Sequence, residues 1–341
     1  MLLQFKYQLK KFPIMIKIGY VGFGRFAQHR HSILQKRTDL QFMGFYDSSE
    51  NLPYDYDIKR FNSVETLLNE IDAVIVSVPP YYAAKFCNMA LSKNIHVFCE
   101  KPPATKLKDL EILNNHSNKL ILAYGFNHRL HDSVIHIKEI IDSKKMGKIL
   151  WMRGRYGKEV DQLLYSKSWR CDKKLNGGGI LIDQGIHLLD IMDWLAGGFD
   201  FNQAILSDNY LKIDGLEDNA FINLYNSKNE ISASLHSTIT QWRYLFSLEV
   251  FLEKGSIILN GLRTSSGNYG EETLNIRPLN QDNLDDKEII YSTNNSWKRE
   301  MDTFFNCINE ELPYPYSGLN EAKNIMNLLE SIYSNAIWTK S

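Results

Sequence analysis

Two rhythms of apolar and polar positions divide this chain. In the first, strand-length apolar runs alternate with stretches whose apolar residues recur every three or four positions. Residues 16–21 read as a strand, 25–35 as a helix and 41–47 as a second strand. A helix near 64–69 precedes a strand at 73–78, and a helix at 81–92 precedes a strand at 96–100. Residues 107–118 then read as helical and 120–126 as extended. Strands alternating with helices predict a parallel sheet covered on both faces.

The second rhythm begins near residue 147. A strand at 149–157 is followed by a long irregular stretch and an apolar helix within 176–198. Between 202 and 260 several strand patterns follow one another, parted by turn signals such as NSKN and EKG. Such a series predicts an antiparallel sheet. Helical patterns at about 297–310 and 319–339 close the chain. The expected fold class is therefore α/β plus α+β. A doubly wound parallel-sheet domain occupies 15–126 and an α+β domain 127–341, whose final helices can pack back on the first. Met15 would itself make a natural start, so residues 1–14 read as an N-terminal extension.

The 341 residues fit two domains. A formal net charge of −1 offers no broad attraction to nucleic acid or to an anionic membrane. The longest apolar runs are far shorter than a membrane span. Lys6, Lys10 and Lys11 break the N-terminal apolar pattern, so no signal peptide is expected. Cys87, Cys99, Cys171 and Cys307 lack CxxC spacing, which suits reduced thiols in a cytoplasmic protein and argues against a metal site.

Candidate chemistry starts at the first strand's end. The segment Gly22, Phe23, Gly24, Arg25, Phe26, Ala27 is a GxGxxA turn between strand and helix. Its first glycine permits a tight turn, its second lets a pyrophosphate approach the backbone, and Ala27 allows close packing. The helix N-terminus then presents N–H groups to phosphate. Asp47 ends the next strand, 20 residues beyond Ala27, where it can accept both ribose hydroxyls. Ser48 and Ser49 offer no arginine for a 2′-phosphate, so NAD is expected, with NADP the alternative. Ser77 and Pro79 end the third strand beside the same crevice.

At the following strand's end stands Glu100-Lys101-Pro102, and farther on GGGILIDQGIH at 177–187. With these motifs the chain resembles the glucose–fructose oxidoreductase, inositol dehydrogenase and MocA family over nearly its whole length from Met15. One departure is Pro103, where a larger apolar residue often follows the EKP motif. The resemblance implies a Rossmann domain, a C-terminal open sheet, and a substrate lying between that sheet and a nicotinamide. The expected activity is hydride transfer at a hydroxyl-bearing carbon of a sugar, cyclic polyol or nucleotide-sugar. Two rivals are an NAD-dependent glycosidase of the same fold and a non-catalytic dinucleotide sensor.

Residues four apart share a helix face, so Asp183, His187 and Asp190 form a polar stripe. The three glycines before it are expected to make room for the nicotinamide end. His187 suits the role of proton acceptor because imidazole titrates near neutrality. Lys101 would stabilise the developing alkoxide, and Asp183 would orient substrate or hold the imidazole. Lys101, Tyr156, Asp183 and His187 are the candidate substrate contacts. Glu100, Lys101, Asn127, Trp169 and Arg170 are candidate cofactor contacts, and His128 and Arg129 lie beside Asn127. Specificity is expected in the loop 158–175, with Arg153, Arg155 and Arg170 faintly favouring a nucleotide-sugar or sugar acid. The second domain's sheet is expected to make a homodimer or homotetramer.

Overall fold

The computed structural model describes residues 15–339 except 51, 54–55, 117–118, 214, 265–268 and 280–284. The expected extension, 1–14, lies outside the described residues.

The first sheet collects β1 (Ile16–Val21), β2 (Leu40–Tyr46), β3 (Ala73–Val76), β4 (His96–Cys99) and β5 (Leu122–Tyr124). Its order is β2-β1-β3-β4-β5 and every pairing is parallel. All four residues of β3 are buried, as a central strand covered on both faces requires. Helices α1 (Arg25–Leu34), α2 (Val64–Leu68) and α3 (Pro80–Leu91) fill the connections. Helix α1 turns Ala27, Arg30, His31 and Leu34 inward, the spacing of one helical face. The strand order reverses direction between β1 and β3, which opens a crevice at their C-terminal ends. The helix expected at 107–118 is instead a 3-10 segment, Leu107–Leu113.

The second region begins with α4 (Asp132–Ser143) and β6 (Ile149–Glu159), then two short helices, α5 (Gln162–Tyr165) and α6 (Lys173–Asn176), and α7 (Ile186–Ala196). Strands β7 (Phe201–Ser207), β8 (Asn219–Asn226), β9 (Ile231–Thr238), β10 (Thr240–Leu252), β11 (Gly255–Asn260), β12 (Glu272–Pro278) and β13 (Lys287–Tyr291) follow. Helices α8 (Ser296–Glu310) and α9 (Leu319–Asn335) precede β14 (Ile337–Thr339).

These strands form one nine-stranded sheet, ordered β13-β12-β11-β10-β6-β9-β8-β7-β14. It is mixed, which corrects the antiparallel expectation: β6 runs parallel to β9, and β14 parallel to β7. The long excursion through α5 to α7 and the β7–β8 hairpin returns the chain beside β6 in the same direction, which a tight turn cannot do. The segment 337–339, expected to be helical, pairs with β7 instead.

Helix α7 lies on the sheet's inner face. A Cβ on Gly154 of β6 would stand 2.8 Å from Leu188 Cδ2, so glycine lets helix and sheet approach. Helix α8 returns to the first domain. There Arg30 is fully buried between the Phe98 ring (4.2 Å) and the Trp297 ring (4.6 Å). It pairs with Glu100 at 2.5 Å and Glu300 at 2.9 Å. Burial, only partly opposed by Arg30, raises the Glu300 carboxyl to about 8.

Candidate active site

The crevice between β1 and β3 carries the glycine turn. Gly22 has φ +81°, and a Cβ there would stand 2.3 Å from the Ser77 carbonyl oxygen, so only glycine fits. Gly24 differs: a Cβ there would meet nothing within 4 Å. It caps α1 without any side-chain cap, and the helix's first turn carries no acid. Open space before uncapped N–H groups suits a dinucleotide pyrophosphate.

Asp47 is half-buried at the end of β2 and accepts from the backbone N–H of Phe23 (2.7 Å) and of Ser49 (2.8 Å). Each carboxylate oxygen keeps a lone pair for a ribose hydroxyl. Phe23 and Ala27 have fully buried side chains, with Phe23 stacked on Phe45 at 4.6 Å, so only their backbones can serve a cofactor. Phe26 stacks on Trp297 at 6.1 Å and Arg25 is exposed. Ser48 and Ser49 bring no arginine, but Arg60 reaches the same loop from farther along the chain. Its Nη2 donates to the carbonyls of Asp47 (3.0 Å) and Ser49 (2.7 Å) and so braces the loop. Ser77 and Pro79 line the turn after β3, half-buried. Glu100, expected on the cofactor, is held by Arg30.

One residue past Glu100 the chain enters the second cluster. Lys101 is half-buried and its Nζ donates to the main-chain carbonyl of Asp183 at 2.6 Å. That carbonyl lies in a π turn, Leu181–Gly185, directly before α7. Single π turns widen the helix ladder and recur at functional sites. Arg170 Nε donates to Asp183 Oδ1 (3.0 Å), while Lys158 Nζ (3.2 Å) and the Tyr165 hydroxyl (3.3 Å) donate to Oδ2. Burial pushes this carboxyl up, but Lys158, Arg170 and Lys101 outweigh it and hold it well below the usual carboxylate range.

Asp183 therefore does not hold the imidazole, one of the two roles expected of it. His187 instead lies flat on His128, with ring centroids 3.7 Å apart and planes 13° from parallel. Burial, then Lys101, then His131 push the His187 pKa well below its ordinary value, so the ring is neutral near pH 7. Burial also lowers Lys101, partly opposed by Asp183. The cluster thus brings Lys101 within electrostatic reach of a buried, neutral imidazole.

Asp190, the third member of the expected stripe, takes no part. It is buried in a two-point pair with Arg129 (2.7 and 2.6 Å), which ties the turn after β5 to α7. The glycine run also has another purpose than making room for nicotinamide. A Cβ at Gly177 would meet Thr105 at 3.0 Å, one at Gly178 the Tyr333 hydroxyl at 2.3 Å, and one at Gly179 the Glu217 carbonyl at 2.0 Å. The three glycines bring α7 against neighbouring protein.

The remaining candidates divide. Asn127 is buried, donating to Ser296 Oγ at 3.0 Å, so its amide faces inward. Tyr156 is buried with its hydroxyl on His128 Nε2 at 2.9 Å. Trp169 lies under the Arg170 guanidinium at 4.4 Å. Arg153 pairs with Glu249 at 2.8 Å, and Arg153 and Arg155 are exposed on β6, alternating with buried Met152, Gly154 and Tyr156. With Arg170 on Asp183, these arginines no longer favour an anionic substrate. Lys158 and Tyr165 were not singled out in the sequence as site residues; only the loop containing them was. Among the described residues no cluster of three or more His, Cys, Asp or Glu is placed to hold a metal ion.

Residues 16–128 match the profile described as the oxidoreductase family, NAD-binding Rossmann fold, and 134–258 match the GFO/IDH/MocA C-terminal domain. The chain belongs to the Gfo/Idh/MocA oxidoreductase family. Among curated relatives, glucose-6-phosphate 3-dehydrogenase of Bacillus subtilis is 29% identical over 63% of this chain and 68% of its own length. D-glucoside 3-dehydrogenase of Escherichia coli is 28% identical over 58% of each. Among solved structures, a putative NADPH-dependent oxidoreductase from Desulfitobacterium hafniense superposes with TM-score 0.82 and 18% identity, covering 94% of this chain and 95% of its own. Levoglucosan dehydrogenase in complex with NADH gives 0.79 and 16%, covering 94% and 96%. At such identity these structures speak for the fold. As a Gfo/Idh/MocA member the chain is an oxidoreductase with an NAD-binding first domain.

Proposed function

We propose that this Gfo/Idh/MocA protein moves a hydride between NAD and a hydroxyl-bearing carbon of a sugar or cyclic polyol, with the reaction centred on Lys101 and His187. The observation that carries the reading is the meeting of Lys101, from the carboxyl edge of the parallel sheet, with the π turn and helix that bear Asp183 and His187. Relatives named as dehydrogenases of glucose-6-phosphate, D-glucosides and levoglucosan support a sugar ring.

Bound NAD supplies the hydride acceptor. Lys101, anchored on the Asp183 carbonyl, has further N–H donors for the substrate oxygen and stabilises negative charge developing there. Neutral His187 takes the hydroxyl proton as the carbonyl forms, and returns it in the reverse direction. The Asp183 carboxylate, ionised and clamped by three donors, balances the local positive charge and braces the loop that carries Lys158, Tyr165 and Arg170. Screening sugars, polyols and their nucleotide conjugates for stoichiometric NADH formation tests the reading. Release of a leaving group with no net NADH would favour the glycosidase instead, and NAD binding with neither outcome the sensor.

Asp47 argues for NAD. NADH should bind more tightly than NADPH in a fluorescence titration, and Asp47→Ser should shrink the difference by about tenfold. Tighter NADPH binding by the unaltered protein would reverse the assignment.

Self-association belongs to the same reading. The outer face of the nine-stranded sheet exposes Trp151, Phe201, Ile205 and Phe221, with Trp151 stacked on Phe251 at 4.0 Å. Large apolar side chains exposed on an otherwise alternating face support pairing through that face. Sedimentation at micromolar concentration should find a dimer or tetramer that Phe221→Glu weakens; a monomeric unaltered protein rules this out. The four cysteines are free, which accords with a cytoplasmic setting. Among the described residues no helix is long and apolar enough to cross a membrane.

A further inference from the structure

Nothing in the reaction just described uses His128, yet it makes the closest ring contact of the site. It is buried in the 3-10 turn Asn127–Leu130 after β5, and both its nitrogens are bonded. The surrounding donors fix which nitrogen holds its proton. Asn294 Nδ2 donates to the Arg263 carbonyl, which turns its Oδ1 toward Ser296. Ser296 Oγ donates to that Oδ1 at 2.7 Å and therefore accepts from Asn127 Nδ2. Asn127 Oδ1 is left facing His128 Nδ1 at 3.2 Å, so Nδ1 carries the hydrogen. On the other side Nε2, left without a hydrogen, accepts from the Tyr156 hydroxyl at 2.9 Å. His128 is a neutral ring with one fixed tautomer.

His187 is the opposite case. Among the described residues its side chain makes no hydrogen bond, and its buried Nδ1 has no partner. A catalytic imidazole is ordinarily oriented by a bond to its far nitrogen. Among the described residues the only ring lying flat against it is His128; Phe126 meets it edge-on at 6.4 Å.

We propose that His128 is a positioning residue for the hydride transfer, stacked on His187 to fix its ring plane and shut water from one face. This rests on His187 being the proton acceptor of the reading above. The groups acting on the pair are Lys101 beyond β4, His131 before α4 with its partner Glu272 on β12, and the Tyr156 hydroxyl of β6. Beside Lys101 a second protonated imidazole is unfavourable, so the pair holds at most the one proton taken from substrate.

Nitrogen-15 NMR of the imidazoles reads this without substrate or cofactor, the His187 signals being assigned from His187→Asn. In His128→Ala water reaches the exposed face, and the His187 titration midpoint should rise by roughly one pH unit or more. The acid limb of the kcat/KM profile should move with it, and kcat should fall about tenfold while NADH affinity holds. His128→Phe keeps a flat ring and should return most of the shift. Should the alanine variant not fold, Tyr156→Phe frees His128 Nε2 and should raise the His187 midpoint by a smaller amount. An unchanged His187 midpoint in the folded variants overturns the proposal, even if sugar oxidation is intact. Absence of turnover on every sugar would instead count against the proposed function and leave the titration result standing.

Discussion

Lys101→Met is expected to lower kcat/KM for sugar oxidation by about two to three orders of magnitude, the usual cost of removing one preorganised charge donor. Methionine retains most of the side chain's bulk in a half-buried site and removes the cation. It also leaves the Asp183 carbonyl without the Lys101 bond, which costs about 1–3 kcal/mol of folding stability. The glycine turn and Asp47 stand apart from this change, so NADH binding should persist. Initial-rate kinetics and a fluorescence titration on the same preparation separate the two effects. Retention of more than about a tenth of the activity would remove Lys101 from the reaction.

The second large effect is on folding. In Gly179→Ala the new methyl would stand 2.0 Å from the Glu217 carbonyl oxygen and 2.6 Å from its nitrogen. Glu217 cannot step aside easily: its carboxylate accepts from the N–H groups of Gly179 (2.9 Å) and Leu181 (2.8 Å) and from Tyr333 (2.9 Å), while Ile180 N–H bonds its carbonyl at 2.8 Å. A loss of about 3 kcal/mol or more is expected in denaturant unfolding. The displaced π turn should also loosen the Lys101 contact. Gly24→Ala is the contrasting substitution. Its φ is −70° and its Cβ direction is open, so stability should hardly change while dinucleotide binding weakens. Equal unfolding midpoints for Gly179→Ala and the unaltered protein would contradict the packing account.

Local pattern carried much of this protein's description. Alternation and apolar runs report burial of a strand's faces, so most strands of both sheets were legible, including β6 with its alternating inner and outer residues. Glycine turn, Asp47 and Lys101 were legible because each sits where a strand ends, and that position aims a residue into the crevice. The four-residue spacing marked Asp183 and His187 as one local stretch, which forms the π turn and the first turn of α7.

What faces each of those residues was decided by tertiary structure. Asp183 lies four positions before His187, yet its carboxylate turns to Lys158, Tyr165 and Arg170, cation and hydroxyl donors brought in by another loop. The glycine run reads alike whether a ligand or a backbone lies against it; only the fold set Glu217 there. Arg60 reaches the Asp47 loop from 13 residues away, and β9 joins β6 in parallel after a long excursion. Periodicity records which side of an element is buried. It carries no record of which distant element does the burying, because that contact is chosen by long-range packing.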